Sequence, residues 1–80
     1  MGVTEDLADA LAKDVLDAVE ALGDPTLIDD IARTLGTSST VTEEAFMTAI
    51  RVRTAETRAR RLLRDRVKKA MADRKKAPPE

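Results

Sequence analysis

The chain has no cysteine, histidine, tryptophan or tyrosine, and a single phenylalanine, Phe46. Without cysteine there is no disulfide framework and no thiolate metal site. Without histidine the commonest zinc ligand and the commonest general base are both missing. No catalytic constellation remains, so no enzyme activity, no cofactor and no metal is expected. No apolar run is long enough for a signal peptide or a membrane span, and Asp6 stands where a myristoylation motif after Gly2 wants Ser or Thr. A soluble cytoplasmic protein, with no membrane partner, is the expectation. With one aromatic among 80 residues, the core must be thin. Ala, Leu, Val and Ile supply most of the apolar content, and a buried Ala contributes far less than the roughly 1.5–3 kcal/mol of a buried Leu or Phe. Stability must draw on helix propensity, charge pairing or other copies of the chain.

What the chain does have is charge, unevenly placed. Residues 1–50 carry eleven acids and two bases, a net of −9, and residues 51–76 carry twelve bases and three acids, a net of +9. The overall charge of −1 hides this split. A division of this kind suits pairing of the two halves, head-to-tail assembly of copies, or a basic arm for a polyanion.

Periodicity reads as three helices in one domain over 1–76. The first spans about 4–22, with Thr4 as N-cap and Glu5 and Asp6 in the first turn. Leu7, Leu11, Val15, Ala18 and Leu22 form its apolar stripe, widened by Ala8, Ala12 and Val19. Gly23 ends it. Asp24-Pro25 starts a second helix over about 25–35, with Leu27, Ile28, Ile31 and Leu35 as its stripe and Gly36 as its stop. Thr40 with Glu43 reads as a capping box for a third helix over 41–76, about 54 Å long. Ala77-Pro78-Pro79 closes it, and 77–80 reads as a disordered tail. The fold class is therefore all-α: two shorter helices packed on a long third, in an oligomeric helical bundle.

The shorter helices are long enough to cover only the first half of the third, near Phe46, Ala49, Ile50 and Val52. Beyond them Ala55, Ala59, Leu62, Leu63, Val67, Ala70 and Met71 keep an apolar stripe at helical spacing. We assign Ala55, Ala59, Leu62, Leu63, Val67 and Met71 to an interface between copies. Arg66 and Lys69 break the heptad pattern, so a long two-stranded coiled coil is not expected. The same stretch carries Arg58, Arg60, Arg61, Arg64, Lys68, Lys69, Arg74, Lys75 and Lys76. Phosphate contacts from such residues give salt-sensitive, sequence-independent DNA affinity. No aromatic is present there for base stacking. These nine residues are the candidate DNA contacts. Packing against acidic helices is the competing role for the same charges.

Two resemblances follow from longer stretches. "LIDDIARTLGTSSTVTEEAFMTAI" (27–50) resembles a helix-turn-helix, with Ile31-Ala32, Leu35-Gly36, Ser38 and Thr40-Val41 at the motif's packing places. That resemblance implies a dimeric transcriptional regulator, although Glu43 and Glu44 open the helix that would face DNA. A second resemblance covers residues 7–71. A short helical pair leading into "EEAFMTAIRVRTAETRARRLL" (43–63) is similar to the oligomerisation region of phage-type small terminase subunits, in the reduced form encoded by gene transfer agents. It implies a homo-oligomer that binds DNA and hands it to a large terminase carrying the ATPase and nuclease. The separate helix-turn-helix domain of typical members is not among these residues, so largely non-specific contact is what the resemblance implies. A third expectation is a helical adaptor or inhibitor that binds a protein partner through the exposed stripe of the third helix.

Overall fold

The computed structural model describes residues 2–76, and the tail expected at 77–80 lies outside them. The described residues form three helices, α1 (Val3–Leu22), α2 (Thr26–Gly36) and α3 (Thr40–Lys76), with no strand. Three-residue turns join them. Glu5 and Asp9 of α1 flank Ala45 to Val52 of α3, and Leu16 and Glu20 flank Thr54 to Arg61. The two helices therefore run parallel, and α2 returns between them. The two shorter helices pack on the long third, as the periodicity predicts.

Leu22 and Lys76 end α1 and α3 where expected, and the other four helix ends depart by one residue. α1 begins at Val3, not at Thr4, because the Gly2 N–H donates to the Glu5 carboxylate (3.0 Å) and satisfies one free donor of the first turn. Asp24 does cap α2. Its Oδ1 accepts from the Thr26 N–H (3.1 Å) and the Thr26 hydroxyl (2.6 Å), which moves the first full turn to Thr26. Ser39, not Thr40, caps α3: its hydroxyl oxygen accepts from the Thr42 N–H at 3.1 Å. Glu43 instead turns back toward Gly36, where an added Cβ would stand 2.6 Å from its Oε1. Gly36 does stop α2, as expected, but as its last residue, a close-approach glycine that is not in a left-handed conformation. Gly23 is the left-handed stop of α1, at φ 67°, and the N–H groups of Gly23 and Asp24 both donate to the Val19 carbonyl (2.8 and 3.3 Å).

The core gathers around one ring. Phe46 is completely buried, and Ala8, Ala12, Val15, Ala32 and Ile50 enclose it. The expected α1 stripe is rotated. Ala8 and Ala12 face inward, whereas Leu7 (65% exposed) and Leu22 (71%) do not. Small residues at the contact let the α1 backbone approach a bulky ring, so the alanines take the centre and the leucines the rim. Val52, placed by the sequence under the shorter helices, is also exposed.

The packed head ends near Arg61, the last α3 residue flanked by α1. Residues 62–76 extend past it for about 22 Å. The radius of gyration is 18.4 Å, against about 12 Å for a compact chain of this length.

Two stability predictions follow. Phe46→Ala removes the only large core side chain and costs about 3–5 kcal/mol, enough to unfold a head this small. A thermal melt followed by circular dichroism should lose its cooperative transition, and an unchanged melt would rule out the Phe46-centred core. Gly23→Ala has open space around it but forces a side chain into the left-handed region, so it should cost about 1–2 kcal/mol from backbone strain alone.

Candidate functional site

Residues 55–76 are exposed without exception, although all belong to one unbroken helix. Alternating blocks of Ala, Arg, Leu and Lys explain the helix, since these are strong helix formers with little rotamer freedom to lose. Ten bases lie in this stretch. Among the described residues only one of them, Arg60, reaches an acid, pairing with Glu56 at 2.6 Å one turn earlier. The candidate DNA contacts Arg58, Arg61, Arg64, Lys68, Lys69, Arg74, Lys75 and Lys76 all stand in solvent without a carboxylate of the described residues at salt-bridge distance.

Pairing of the acidic and basic halves within one chain is therefore slight. The one inter-helix ion pair among the described residues joins Asp9 of α1 to Arg53 of α3. It is bidentate, with Arg53 Nε to Oδ1 at 2.7 Å and Nη2 to Oδ2 at 2.8 Å. The hydrogen bonds from Arg53 hold the Asp9 carboxyl below the usual aspartate range, against a small opposing effect of burial, and the same bonds raise Arg53. The other ion pairs described are local to one helix: Lys13–Asp17 at 3.0 Å, Arg33–Asp30 at 3.5 Å and Arg60–Glu56. Local surface pairs of this kind contribute little to stability.

The apolar residues assigned to an interface are likewise uncovered. Leu62, Leu63, Val67 and Met71 are each 52–59% exposed, as expected for side chains on a lone helix. They do not share one line. At about 100° per residue, Ala59, Leu63 and Val67 continue one line along α3 that begins in the head with Ala45, Ala49, Val52 and Glu56 and ends with Ala70. Ala55 and Leu62 lie to one side of that line, and Met71 lies on the other. In the head the line forms the floor of a shallow groove of about 540 Å³, edged by Glu5 and Asp9 of α1 and lined by Ala45, Thr48, Ala49 and Val52. The sequence reading missed this groove because it divided α3 into a covered and an uncovered half. The 100° projection carried along the whole helix would have found the line, but not the acidic edge that α1 adds to it.

Other candidates resolve into local roles. The Ser39 hydroxyl caps α3, and the Thr37 hydroxyl donates to the Thr34 carbonyl at 2.7 Å. Asp29 and Asp30 are exposed on α2, and Asp30 faces Arg33. No group of three metal-ligating side chains comes together among the described residues, and no described helix is long and apolar enough to cross a membrane. In the helix-turn-helix-like stretch Ala32 is buried and Ile31, Leu35 and Gly36 are half-buried, but Val41, which that motif packs inside, is 69% exposed.

The Asp9–Arg53 pair gives a pH prediction. A carboxyl whose folded pKa is depressed contributes stability that is present above its unfolded value, about 3.9, and lost as pH falls through the folded value. Replacing Arg53 with Gln should raise the Asp9 titration midpoint, read by carboxyl-carbon NMR, toward the ordinary value. It should also narrow the stability difference between pH 5 and pH 2. An Asp9 midpoint that does not move would show that the pair does not persist in solution.

Comparison with protein-family models, with curated proteins and with solved structures finds no match, so the reading of function rests on the chemistry of this helix and its groove.

Proposed function

We propose that the chain is a non-enzymatic, self-assembling DNA-handling protein of the small-terminase kind. Copies associate through the apolar line of α3. Its distal basic turns hold DNA phosphates, and the assembly delivers that DNA to a packaging motor carried by a separate ATPase and nuclease chain. The observation that supports this reading best is the wholly exposed stretch 55–76, which carries ten bases, seven of them past the end of the folded head. Most of these bases pair with no acid among the described residues, and phosphate is the polyanion chemistry they fit. With no aromatic residue beyond Phe46, the grip is electrostatic and takes any sequence. The resemblance over residues 7–71 contributes the packaging role, and the exposed line of Leu63 and Val67 supports the assembly.

The exposed line also supports a second reading, in which α3 binds a different protein as an adaptor. The two separate on DNA affinity. Fluorescence anisotropy with two duplexes of unrelated sequence should give equal affinities that fall steeply with salt. The slope of log K against log salt is about −0.9 for each phosphate contact, so Arg61→Gln, Lys68→Gln and Lys69→Gln combined should flatten it by about two to three units. Absence of binding at low salt would favour the adaptor. A strong preference for one duplex would favour a sequence-specific regulator.

A further inference from the structure

The positions of the line along α3 have the same spacing from either end, with small or apolar residues at most of them. Its members are Ala45, Thr48 with Ala49, Val52, Glu56, Ala59, Leu63, Arg66 with Val67, and Ala70. Reversed and laid on itself, it sets Ala45 against Ala70, Thr48 against Val67, Val52 against Leu63, and Glu56 against Ala59. A surface that is complementary to its own reversed copy is what a two-fold, isologous contact requires. We propose that the building unit of this protein is an antiparallel pair of chains in which α3 of one copy lies along α3 of the other in this register. The proposal rests on the self-assembly reading above and specifies its interface.

Charge chooses this orientation over the parallel one. A parallel pair in register would set Glu56 against the partner's Glu56 and ten bases against ten more. The antiparallel pair sets each +9 tail beside the partner's −9 head. In this register the tail enters the groove edged by Glu5 and Asp9. The two-fold axis brings the Asp9 side of the head to the flank of the tail that carries Arg64, Met71 and Arg74. Glu5, to which no base among the described residues comes within salt-bridge distance, then meets the partner's Arg64 and Arg74. The partner's Val67 fills the groove over Thr48 and Ala49. Arg66, which breaks the heptad, falls opposite Ala49, whose small side chain leaves it room. Glu56 near the axis already carries Arg60 as its counter-charge at 2.6 Å, so it enters the interface neutralised. A polar pair at one position of an apolar seam fixes register.

The surface available suffices. A compact protein of this mass exposes about 4,700 Å². This chain exposes 6562 Å², roughly 1,800 Å² more, and each partner in a stable interface buries about 800 Å².

The absence of native cysteine makes the register directly testable. Val52→Cys and Leu63→Cys are made as separate full-length variants, each exposed in the folded chain. They are oxidised mildly, alone and mixed, while light scattering follows the mass. The expected result is a disulfide-linked species in the mixture and little in either variant alone, because Val52 of one copy faces the partner's Leu63 and lies about 16 Å along the helix from the partner's Val52. Homodisulfides in each variant alone, with association intact, would overturn the register and leave self-assembly standing. Association with no disulfide in any sample would place the interface elsewhere and likewise overturn only the register. A monomer mass at all concentrations would overturn the register and the self-assembly together. Leu63→Asp should weaken association at least tenfold, and Phe46 burial, monitored by the thermal melt, should be unaffected by it.

Discussion

One phenyl ring organises the head. Phe46 is the sole aromatic side chain in the sequence, and it is fully enclosed by α1, α2 and its own helix. A core this small extends only as far as its partners reach, and α1 is a helix of 20 residues against 37 in α3. The head therefore ends where α1 ends. Everything distal on α3 has helix propensity to sustain it but, among the described residues, no ion pair and no tertiary contact. An isolated helical segment of that length is marginal in water. A second copy laid along the segment, or DNA laid across it, would supply what the chain itself does not.

The distribution of charge follows from the same geometry. If the acidic and basic halves existed to neutralise one another within a chain, α1 would carry its acids opposite the bases of α3. Among the described residues only Asp9 and Arg53 close into such an ion pair, although Glu20 lies beside Arg58 and Arg61. Because α1 runs parallel to α3, its acids lie beside α3 only as far as Arg61, and seven of the twelve bases of residues 51–76 lie beyond that point. The separation is preserved in the fold instead of cancelled by it. That favours functions between molecules over functions within one.

Much of this was legible in the sequence. Helix number, order and approximate bounds follow from apolar period, Gly23, Asp24-Pro25 and the polar turn before Thr40, because those signals act over one or two turns. The exposure of Leu62, Leu63, Val67 and Met71 followed from comparing helix lengths. What sequence reasoning misplaced depends on distances it does not contain. Which face of α1 turns inward was decided by the bulk of Phe46, which admits Ala8 and Ala12 and leaves Leu7 at the rim. Val52 was put under cover because its place along α3 is within reach of the head, yet its direction around the helix points it out. The cap of α1 moved two residues, from Thr4 to Gly2, and that of α3 one, from Thr40 to Ser39, because the Glu5 carboxylate accepts from the Gly2 N–H and the Ser39 hydroxyl from the Thr42 N–H. The Asp9–Arg53 pair, 44 residues apart, had no local signal at all.

In the proposed pairing, assembly and DNA binding draw on different sides of one helix. Arg74 lies on the seam line and Arg64 at its edge toward the partner's α1, while Arg58, Arg61, Lys68 and Lys69 lie about 120° or more around α3 from the seam. The first set would be neutralised by acids and the second left for phosphate. Salt weakens both, but unequally. Pairs beside an apolar groove are shielded from counterions more than charges in open solvent, so DNA should leave the assembly at lower salt than the copies leave each other. A single basic helix can then act as both seam and grip, because its charges are spread around its circumference and only one side is closed by the second copy.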